Sequence, residues 1–276
     1  MDNRPIGVFD SGIGGLTVLA ALQKIMPQES TVYLGDTARV PYGTRSADVV
    51  MRYAINNTRT LLEHTDVKLL VVACNTASAV AVHGLRARLP IPVVGVIEPG
   101  AKAAVAASRG GAILVLGTSG TVRSGAYDRF IRLFGHAGQV ISRACPLLVP
   151  LVEEGWTDGE IPQQIVEKYL ENIPADVDTV VLGCTHYPLL RDRIAKALPP
   201  HVAIVDGGAA TAKEVQRCLD EQGGFCDMND STHSILVTDV PEQMERLSAR
   251  FLGSEQKRGQ IELIDVLMTM PNKSSD

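Results

Sequence analysis

Two cysteines could do chemistry, because each ends an apolar run and is followed at once by polar side chains. Cys74 lies in the segment Val71–Ser78, VVACNTAS, and Cys184 lies in Val181–Pro188, VLGCTHYP. Each aliphatic run is typical of a buried strand in a parallel sheet. Open α/β sheets bind their ligands at the carboxyl ends of such strands. One cysteine at such a position in each half of the chain therefore predicts two thiols that face a single small substrate.

Both cysteines have neighbours that can change the reactivity of a thiol. Asn75-Thr76 follows Cys74, and a helix N-terminus with nearby donors lowers the pKa of a thiol. His186 lies two residues beyond Cys184, which in an extended segment places both side chains on one side, so that the imidazole could exchange a proton with the thiol. The remaining cysteines lack such neighbours and are expected to be structural: Cys145, Cys218 and Cys226.

Two further motifs are expected at the same sheet edge. Asp10–Gly15, DSGIGG, follows an apolar run and opens a helical pattern, so its glycines allow close approach of an anion to a helix N-terminus. It lacks the GxGxxG spacing of dinucleotide sites, and its carboxylate suits an ammonium group or a proton transfer. The alternative is that Asp10 or Ser11 only caps the helix. Backbone N–H groups of the turn Val40–Thr44 are expected to line the pocket, although such turns are often only turns.

Composition excludes several classes of function. Of the 276 residues 45% are hydrophobic and 21% are charged, and the net charge of −5 comes without a basic run, which argues against nucleic acid as a main partner. The N-terminus shows no secretory pattern, and the longest stretch without a charged side chain, Leu69–Leu85, is too polar to span a membrane. Five scattered cysteines without a CxxC pair favour neither a disulfide framework nor a metal site. We therefore expect a reduced, cytoplasmic protein without a metal.

Strand-like and helical patterns alternate along the chain, which predicts parallel βαβ units. The first strands are predicted at Ile6–Phe9, Thr31–Leu34, Leu69–Ala73 and Val93–Ile97. The helices between them are predicted at Leu16–Ile25, Ala47–His64 and Ala79–Leu89. Further strands are predicted at Ala112–Leu116, Gln139–Ser142, Thr179–Leu182 and Ala203–Val205. The tail is predicted to add helices at Thr211–Glu221 and Pro241–Phe251 and strands at His233–Thr238 and Ile261–Ile264.

A weak internal repeat suggests two related halves. Ile6–Gly12 matches Ile113–Gly120, and the spacing from Cys74 to Cys184 nearly equals that from Pro41 to Pro150. We expect an α/β fold of two pseudo-symmetric domains, each a mostly parallel sheet flanked by helices, with the active site in the cleft between them. The first domain would comprise residues 1–97 and 209–276, and the second residues 98–208.

A thiol on each of two facing domains suits the inversion of a stereocentre. One face of an amino-acid α-carbon needs a base and the other needs an acid, and a thiolate with a thiol supplies both and exchanges their states. Sulfurs at reacting distance on both sides of one carbon would lie roughly 6–7 Å apart. That separation is too long for a disulfide, so both thiols can persist.

Four ordered segments closely resemble the glutamate racemases, in the cofactor-independent aspartate/glutamate racemase family. They are Gly7–Val18, Val40–Gly43, Ala73–Ser78 and Gly183–Leu189, and the resemblance runs from about Ile6 to Gly253. It implies that Cys74 and Cys184 are the catalytic proton donors and acceptors, the first serving D-glutamate and the second L-glutamate. It also implies that the reaction needs no cofactor and that the product, D-glutamate, goes into bacterial peptidoglycan. Relatives commonly dimerise, so a homodimer is an open alternative for this chain.

The resemblance extends to substrate contacts and leaves rival functions open. The implied substrate-binding residues are Asp10, Ser11, Tyr42, Gly43, Asn75, Thr76, Thr185 and His186. Asp10 and His186 would assist their thiols, and Thr118 and the loop residue Glu153 fall where further contacts are expected. Asp206-Gly207-Gly208 departs from the family, which usually has a larger residue after the aspartate. An aspartate racemase, a cysteine hydrolase using Cys184 and His186, and a non-catalytic amino-acid-binding protein remain alternatives.

Overall fold

The computed structural model describes residues 1–226, 231–253 and 260–266, and strands and helices alternate through them. The strands are β1 Ile6–Asp10, β2 Thr31–Gly35, β3 Leu69–Val72, β4 Val93–Gly95, β5 Ala112–Gly117, β6 Val140–Ala144, β7 Val177–Gly183, β8 Ala203–Asp206, β9 His233–Val237 and β10 Gln260–Leu263. The helices are α1 Leu16–Ile25, α2 Ala47–His64, α3 Asn75–Arg86, α4 Ile97–Ala107, α5 Ser119–Ser124, α6 Ala126–Leu133, α7 Leu148–Glu153, α8 Glu160–Leu170, α9 Arg191–Lys196, α10 Gly207–Gln222 and α11 Pro241–Leu252. Short 3-10 helices lie at Thr37–Arg39, Tyr42–Thr44 and Tyr187–Leu190.

The strands form two parallel sheets. The first has the order β10-β9-β2-β1-β3-β4 and the second β6-β5-β7-β8. All pairings are parallel, so every strand ends at the same edge of its sheet. The run β2-β1-β3-β4 repeats in the second sheet in the same sequential order, which confirms the two pseudo-symmetric halves. Every residue of β1, β3, β5 and β7 is buried, as expected for central strands covered by helices on both faces.

The tail of the chain returns to the first sheet. β9 pairs with β2 and β10 pairs with β9, so these strands extend the first sheet at one edge. The helix α10 packs against both α1 and α4, and α11 packs against α1. The domain boundaries, residues 1–97 with 209–276 and residues 98–208, stay a prediction. Among the residues described, no helix has the length and apolar character that crossing a bilayer requires.

Several predicted boundaries are wrong, in ways that matter for the site. The predicted strand Val93–Ile97 is too long, because β4 ends at Gly95 and Ile97 starts α4, whose first turn accommodates Pro99. The helix predicted to begin at Ala79 begins at Asn75, directly after Cys74. β6 runs from Val140 to Ala144 rather than from Gln139 to Ser142, because its last residues keep pairing with β5.

The repeat is real in topology but fails at one pair of landmarks. Pro41 precedes the 3-10 helix Tyr42–Thr44 and follows a cis peptide bond, whereas Pro150 lies inside α7. Glu153, predicted in a loop, is the last residue of that helix. The segments that follow the strands at the carboxyl edges of the two sheets therefore differ, although the strand order of the sheets corresponds.

Candidate active site

The predicted catalytic and binding residues converge at the carboxyl ends of the central strands. A single cavity of about 60 Å³ is lined by nine of the ten: Ser11, Tyr42, Gly43, Cys74, Asn75, Thr76, Cys184, Thr185 and His186. Cys74 follows β3 of the first sheet and Cys184 follows β7 of the second. Both thiols are nearly buried, at 5% and 6% exposure, so a ligand between them would be shielded from water.

Cys74 caps the N-terminus of α3 in an extended conformation. Burial and, next, the charge of Asp10 raise the pKa of the Cys74 thiol to about 12. The Ala77 N–H and the Ser11 hydroxyl act in the opposite direction, because both donate toward the sulfur. The helix N–H thus lowers this pKa as expected, but the expectation of a usable thiolate near neutral pH is wrong, because the net pKa is raised. Burial outweighs the donors, and Cys74 is held as a protonated thiol.

Asp10 lies behind the cavity rather than in its wall. It is fully buried at the end of β1, and Gly15 N donates to its Oδ2 at 2.9 Å. Burial raises the pKa of this carboxyl, against the lowering influence of His186 and of the Gly15 N–H. Its Oδ1 accepts no hydrogen bond from any residue that the structure describes. The carboxyl thus both fixes the glycine loop and leaves one buried acceptor beside Cys74.

Cys184 has an imidazole as its partner. The Sγ atom lies 3.8 Å from His186 Nδ1, and His186 Nε2 lies 3.1 Å from Glu153 Oε1. Burial lowers the pKa of His186, but the hydrogen bonds with Cys184 and Glu153 outweigh burial and raise it to about 10. His186 is therefore protonated at neutral pH, and the two sulfurs sit in unlike surroundings.

The geometry of this pair differs from the expected one. The strand β7 ends at Gly183, and His186 has φ −81° and ψ −29° within a turn rather than an extended segment. The turn, not strand alternation, brings the ring to the sulfur. Glu153 is not in the cavity wall and reaches the site only through His186, whereas Thr118 does line the cavity. Phe251 of α11 packs its ring edge-to-face with His186 at 5.6 Å between centroids.

A buried polar network, which sequence reasoning missed, supports the Tyr42–Thr44 turn. The Tyr42 hydroxyl donates to Asp36 and accepts from Asn57 Nδ2 at 2.9 Å. Arg39 bonds both partners, donating to Asp36 Oδ2 at 2.7 Å and to Asn57 Oδ1 at 2.6 Å. The signal in the sequence was Asn56-Asn57-Thr58 in the middle of α2, where the helix turns these polar residues inward.

Threonine hydroxyl groups form hydrogen bonds between the two halves near the cavity. Thr76 Oγ1 lies 2.9 Å from Thr118 Oγ1, and Thr17 Oγ1 donates to the carbonyl oxygen of Thr185 at 3.0 Å. Gly43 meets Thr118 so closely that an added Cβ would lie 2.7 Å from the Thr118 Cβ. A side chain at this position would therefore force the two halves apart.

The described residues in the cavity wall include no lysine or arginine. Apart from the protonated His186, an anionic ligand must therefore rely on hydroxyl groups, amides and backbone N–H groups. The first turn of α3 begins at Asn75 and that of α5 at Ser119, and both helix starts adjoin the cavity. First-turn N–H groups lack intrahelical acceptors and carry the positive end of the helix dipole, so they suit carboxylates.

The sequence profile described as Asp/Glu/Hydantoin racemase matches residues 16–215. The fold and the match together define an amino-acid racemase, which is an isomerase. In this class the two parallel sheets of the chain each place one cysteine in the same cavity. A glutamate racemase from Geobacter metallireducens is 50% identical over 256 residues, which cover 91% of this chain and 94% of the relative.

Solved structures narrow the class further. Glutamate racemase isoform RacE1 from Bacillus anthracis matches with a TM-score of 0.91 at 37% identity, covering 96% of this chain and 99% of that chain. Glutamate racemase from Francisella tularensis in complex with D-glutamate matches with a TM-score of 0.88 at 34% identity, again covering 96% and 99%. The chain therefore belongs to the Asp/Glu/Hydantoin racemase family and, within it, to the glutamate racemases.

Proposed function

We propose that this protein interconverts L- and D-glutamate by a two-base mechanism in which Cys74 and Cys184 exchange protons with Cα from opposite faces, without a cofactor. The observation that carries this proposal is the placement of both sulfurs, one from each sheet, in the wall of one small cavity. A single ligand there has a thiol from each half within reach.

The unlike surroundings of the two thiols favour a starting state. Cys74 is a protonated thiol, with its pKa raised to about 12, and therefore serves as the acid. Cys184 has the protonated imidazole of His186 at 3.8 Å, and we assign to it the role of the base. This assignment of acid and base would suit the L-enantiomer, in keeping with the assignment of Cys184 to L-glutamate.

Each turnover exchanges the states of the two sulfurs. The Cys184 thiolate takes the α-proton, and the electron pair of the broken C–H bond stays on Cα and its carboxylate. The Cys74 thiol then gives its proton to the opposite face and becomes the thiolate that accepts D-glutamate. N–H donors at the start of α3 stabilise the charge on the carboxylate, and exclusion of water from the closed cavity strengthens these bonds.

The remaining polar groups bind the substrate. Backbone N–H groups and side chains of Asn75, Thr76 and Thr185 hold the carboxylates, and Ser11 with the Tyr42-Gly43 turn completes the wall. Asp10, with its unpaired Oδ1 behind Cys74, assists the proton transfer at that sulfur. The F. tularensis relative is solved with D-glutamate, which supports glutamate as the ligand here. D-Glutamate made in the cytoplasm would supply peptidoglycan synthesis.

The test is incubation of the purified protein with L- or D-glutamate in deuterated water, with no cofactor added. We expect loss of optical rotation from both enantiomers and entry of one deuterium at Cα, measured by NMR. Parallel incubations with L- and D-aspartate test the pocket length, and an aspartate rate equal to the glutamate rate would overturn the substrate assignment. Tight binding of glutamate without deuterium entry would show a binding protein and refute the proposed reaction.

A further inference from the structure

Tyr127 connects the second half of the molecule to a predicted substrate contact in the first half. It is the second residue of α6, and its side chain is buried at 2% exposure. Its hydroxyl donates to Asn75 Oδ1 at 2.8 Å. Asn75 lies next to Cys74 and in the wall of the cavity, whereas Tyr127 does not line the cavity. The hydroxyl of Tyr127 therefore connects to the cavity through Asn75.

Two glycines make room for the Tyr127 ring and fix where it lies. A Cβ added at Gly183, directly before Cys184, would lie 3.1 Å from the Tyr127 ring. A Cβ added at Gly100 in α4 would lie 3.2 Å from the Tyr127 hydroxyl oxygen. Since the phenol is held by the end of β7 and by α4, its hydroxyl is a donor at a fixed position. Burial, followed by the charges of Asp206 and Cys184, raises the pKa of Tyr127, so this hydroxyl keeps its proton.

In this arrangement the Tyr127 hydroxyl donates to one end of the Asn75 amide and leaves the other end to a ligand. With Oδ1 engaged by Tyr127, the groups left to offer are the two N–H donors on Nδ2, and no residue that the structure describes accepts a hydrogen bond from them. Because the described residues of the cavity wall include no lysine or arginine, each fixed neutral donor counts for an anionic ligand beside the protonated His186. A flipped amide could still donate from Nδ2 to the Tyr127 hydroxyl, because a phenol also accepts, but it would present its oxygen to the ligand carboxylate and repel it.

We propose that Tyr127 is a positioning residue that locks the Asn75 amide with its N–H donors available to a substrate carboxylate. This inference rests on the proposed racemisation of glutamate and adds a determinant of substrate binding from outside the cavity wall. This role couples the two halves of the molecule. Tyr127 orients Asn75, which follows Cys74, and its ring packs against Gly183, which precedes Cys184.

A double-mutant cycle tests this role with Tyr127→Phe, Asn75→Ala and the double variant. Tyr127→Phe keeps the ring against Gly183 and removes only the hydroxyl. We expect its KM for L- and D-glutamate to rise about tenfold with kcat changed less, the usual effect of one lost hydrogen bond. Asn75→Ala should raise KM at least as much. Adding Tyr127→Phe to Asn75→Ala should change KM no further, because the hydroxyl then has nothing to orient.

The outcomes separate this inference from the proposed function. Tyr169→Phe is the matched control, since its hydroxyl accepts from Leu147 N outside the cavity wall, and it should keep the unmodified kinetics. An unmodified protein that fails to exchange deuterium would refute racemisation itself. A racemase whose Tyr127→Phe variant keeps its KM, or loses equally in both backgrounds, would refute the positioning role alone.

A spectroscopic measurement decides the matter if Tyr127→Phe does not fold. The Asn75 side-chain amide, assigned by its loss in Asn75→Ala, should give two sharp proton resonances in the unmodified protein. Titration with D-glutamate should shift both of them. Resonances unmoved by saturating D-glutamate would overturn the proposal without any variant of Tyr127.

Discussion

At the scale of single residues, the two cysteines are alike in position and unlike in surroundings. Cys74 has a buried carboxyl behind it, and Cys184 has an imidazole beside it that is itself held by Glu153. Two thiols with the same surroundings would both be protonated or both be charged. In the proposed two-base mechanism, this difference would let Cys74 serve as the acid while Cys184 serves as the base.

Replacing either cysteine should strongly reduce racemisation and leave proton exchange with one enantiomer only. For Cys74→Ser and Cys184→Ser we expect racemisation to fall by about 10²–10⁴-fold, the usual contribution of a general acid or base. The remaining thiol can still remove the proton on its own face, so Cys184→Ser should exchange deuterium into D-glutamate and Cys74→Ser into L-glutamate. NMR of each separate enantiomer in deuterated water measures this.

The buried cysteine Cys145 provides the control for these variants. It does not line the cavity, so Cys145→Ser should keep racemisation in both directions. Equal residual exchange of both enantiomers by either catalytic variant would contradict the assignment of one sulfur to each face. Full racemisation by Cys74→Ser would show that Cys184 and His186 suffice without Cys74, and would refute the two-base mechanism.

The raised pKa of His186 makes the contribution of Glu153 to stability depend on pH. The folded protein holds this proton more tightly than the unfolded chain, whose ordinary value is 6.5, and the folded value is about 10. The associated stabilisation is therefore complete below about pH 6.5 and is lost as the pH rises through about 10. Glu153→Gln should lower the pKa of His186 in the folded protein. It should also lower the free energy of unfolding by about 1–2 kcal/mol near pH 6.

Urea unfolding at pH 6, 8 and 10 measures this difference. The gap between Glu153→Gln and the unmodified protein should narrow toward pH 10, because His186 then loses its proton in both. Glu154→Gln is the control, since this neighbouring side chain is exposed and should show no such trend. A gap that stays constant from pH 6 to pH 10 would show that Glu153 does not act through the His186 proton.

At the scale of secondary-structure elements, α2 supports a turn of the site that it does not itself enter. Asn57 is fully buried on this helix and binds Tyr42 and Arg39. Asn57→Ala should therefore lower the free energy of unfolding by about 1–3 kcal/mol, because buried polar partners are left unsatisfied. It should also raise KM, because the Tyr42–Thr44 turn loses its anchor.

A matched change on the same helix separates the network from the helix itself. Glu63→Ala removes an exposed ion pair with Arg59 and should cost no more than about 0.5 kcal/mol, with KM unchanged. Chemical denaturation and steady-state kinetics of the two variants give the comparison. A stable Asn57→Ala protein with an unaltered KM would show that the turn holds its position without the network.

The sequence predicted the central elements better than their ends. Runs such as those in β1, β3 and β7 are aliphatic throughout, which gives the strands, the sheet edge and the position of each cysteine. The start of α3 at Asn75 was not predictable from helical periodicity, because its first turn carries polar side chains that line the cavity instead of an apolar repeat. Contacts such as those of Tyr127 and Asn57 depend on three-dimensional packing between distant segments, which no local pattern encodes.

At the scale of the whole molecule, a buried ion pair ties the N-terminal residues and the segment that follows α10 to the first sheet. Lys68 and Glu29 lie before β3 and β2, at the edge opposite the cavity, and their charged atoms are 2.6 Å apart with exposures of 2% and 1%. Lys68 Nζ also donates to the carbonyl oxygens of Asp2 and Gly224. The first residues and the end of α10 are thereby joined, which supports grouping the tail with the first domain.

Breaking this pair should destabilise the protein without changing its chemistry. Lys68→Met leaves a buried carboxylate without its partner and should cost about 3–5 kcal/mol in urea unfolding. Lys68→Met with Glu29→Leu removes both charges and should recover part of that loss, although backbone groups at Asp2 and Gly224 stay unpaired. Since the pair lies at the opposite sheet edge, kcat and KM of the folded fraction should match those of the unmodified protein. Strictly additive losses from the two single variants would show that these charges stabilise the fold independently, and the tail would then need another attachment to the first sheet.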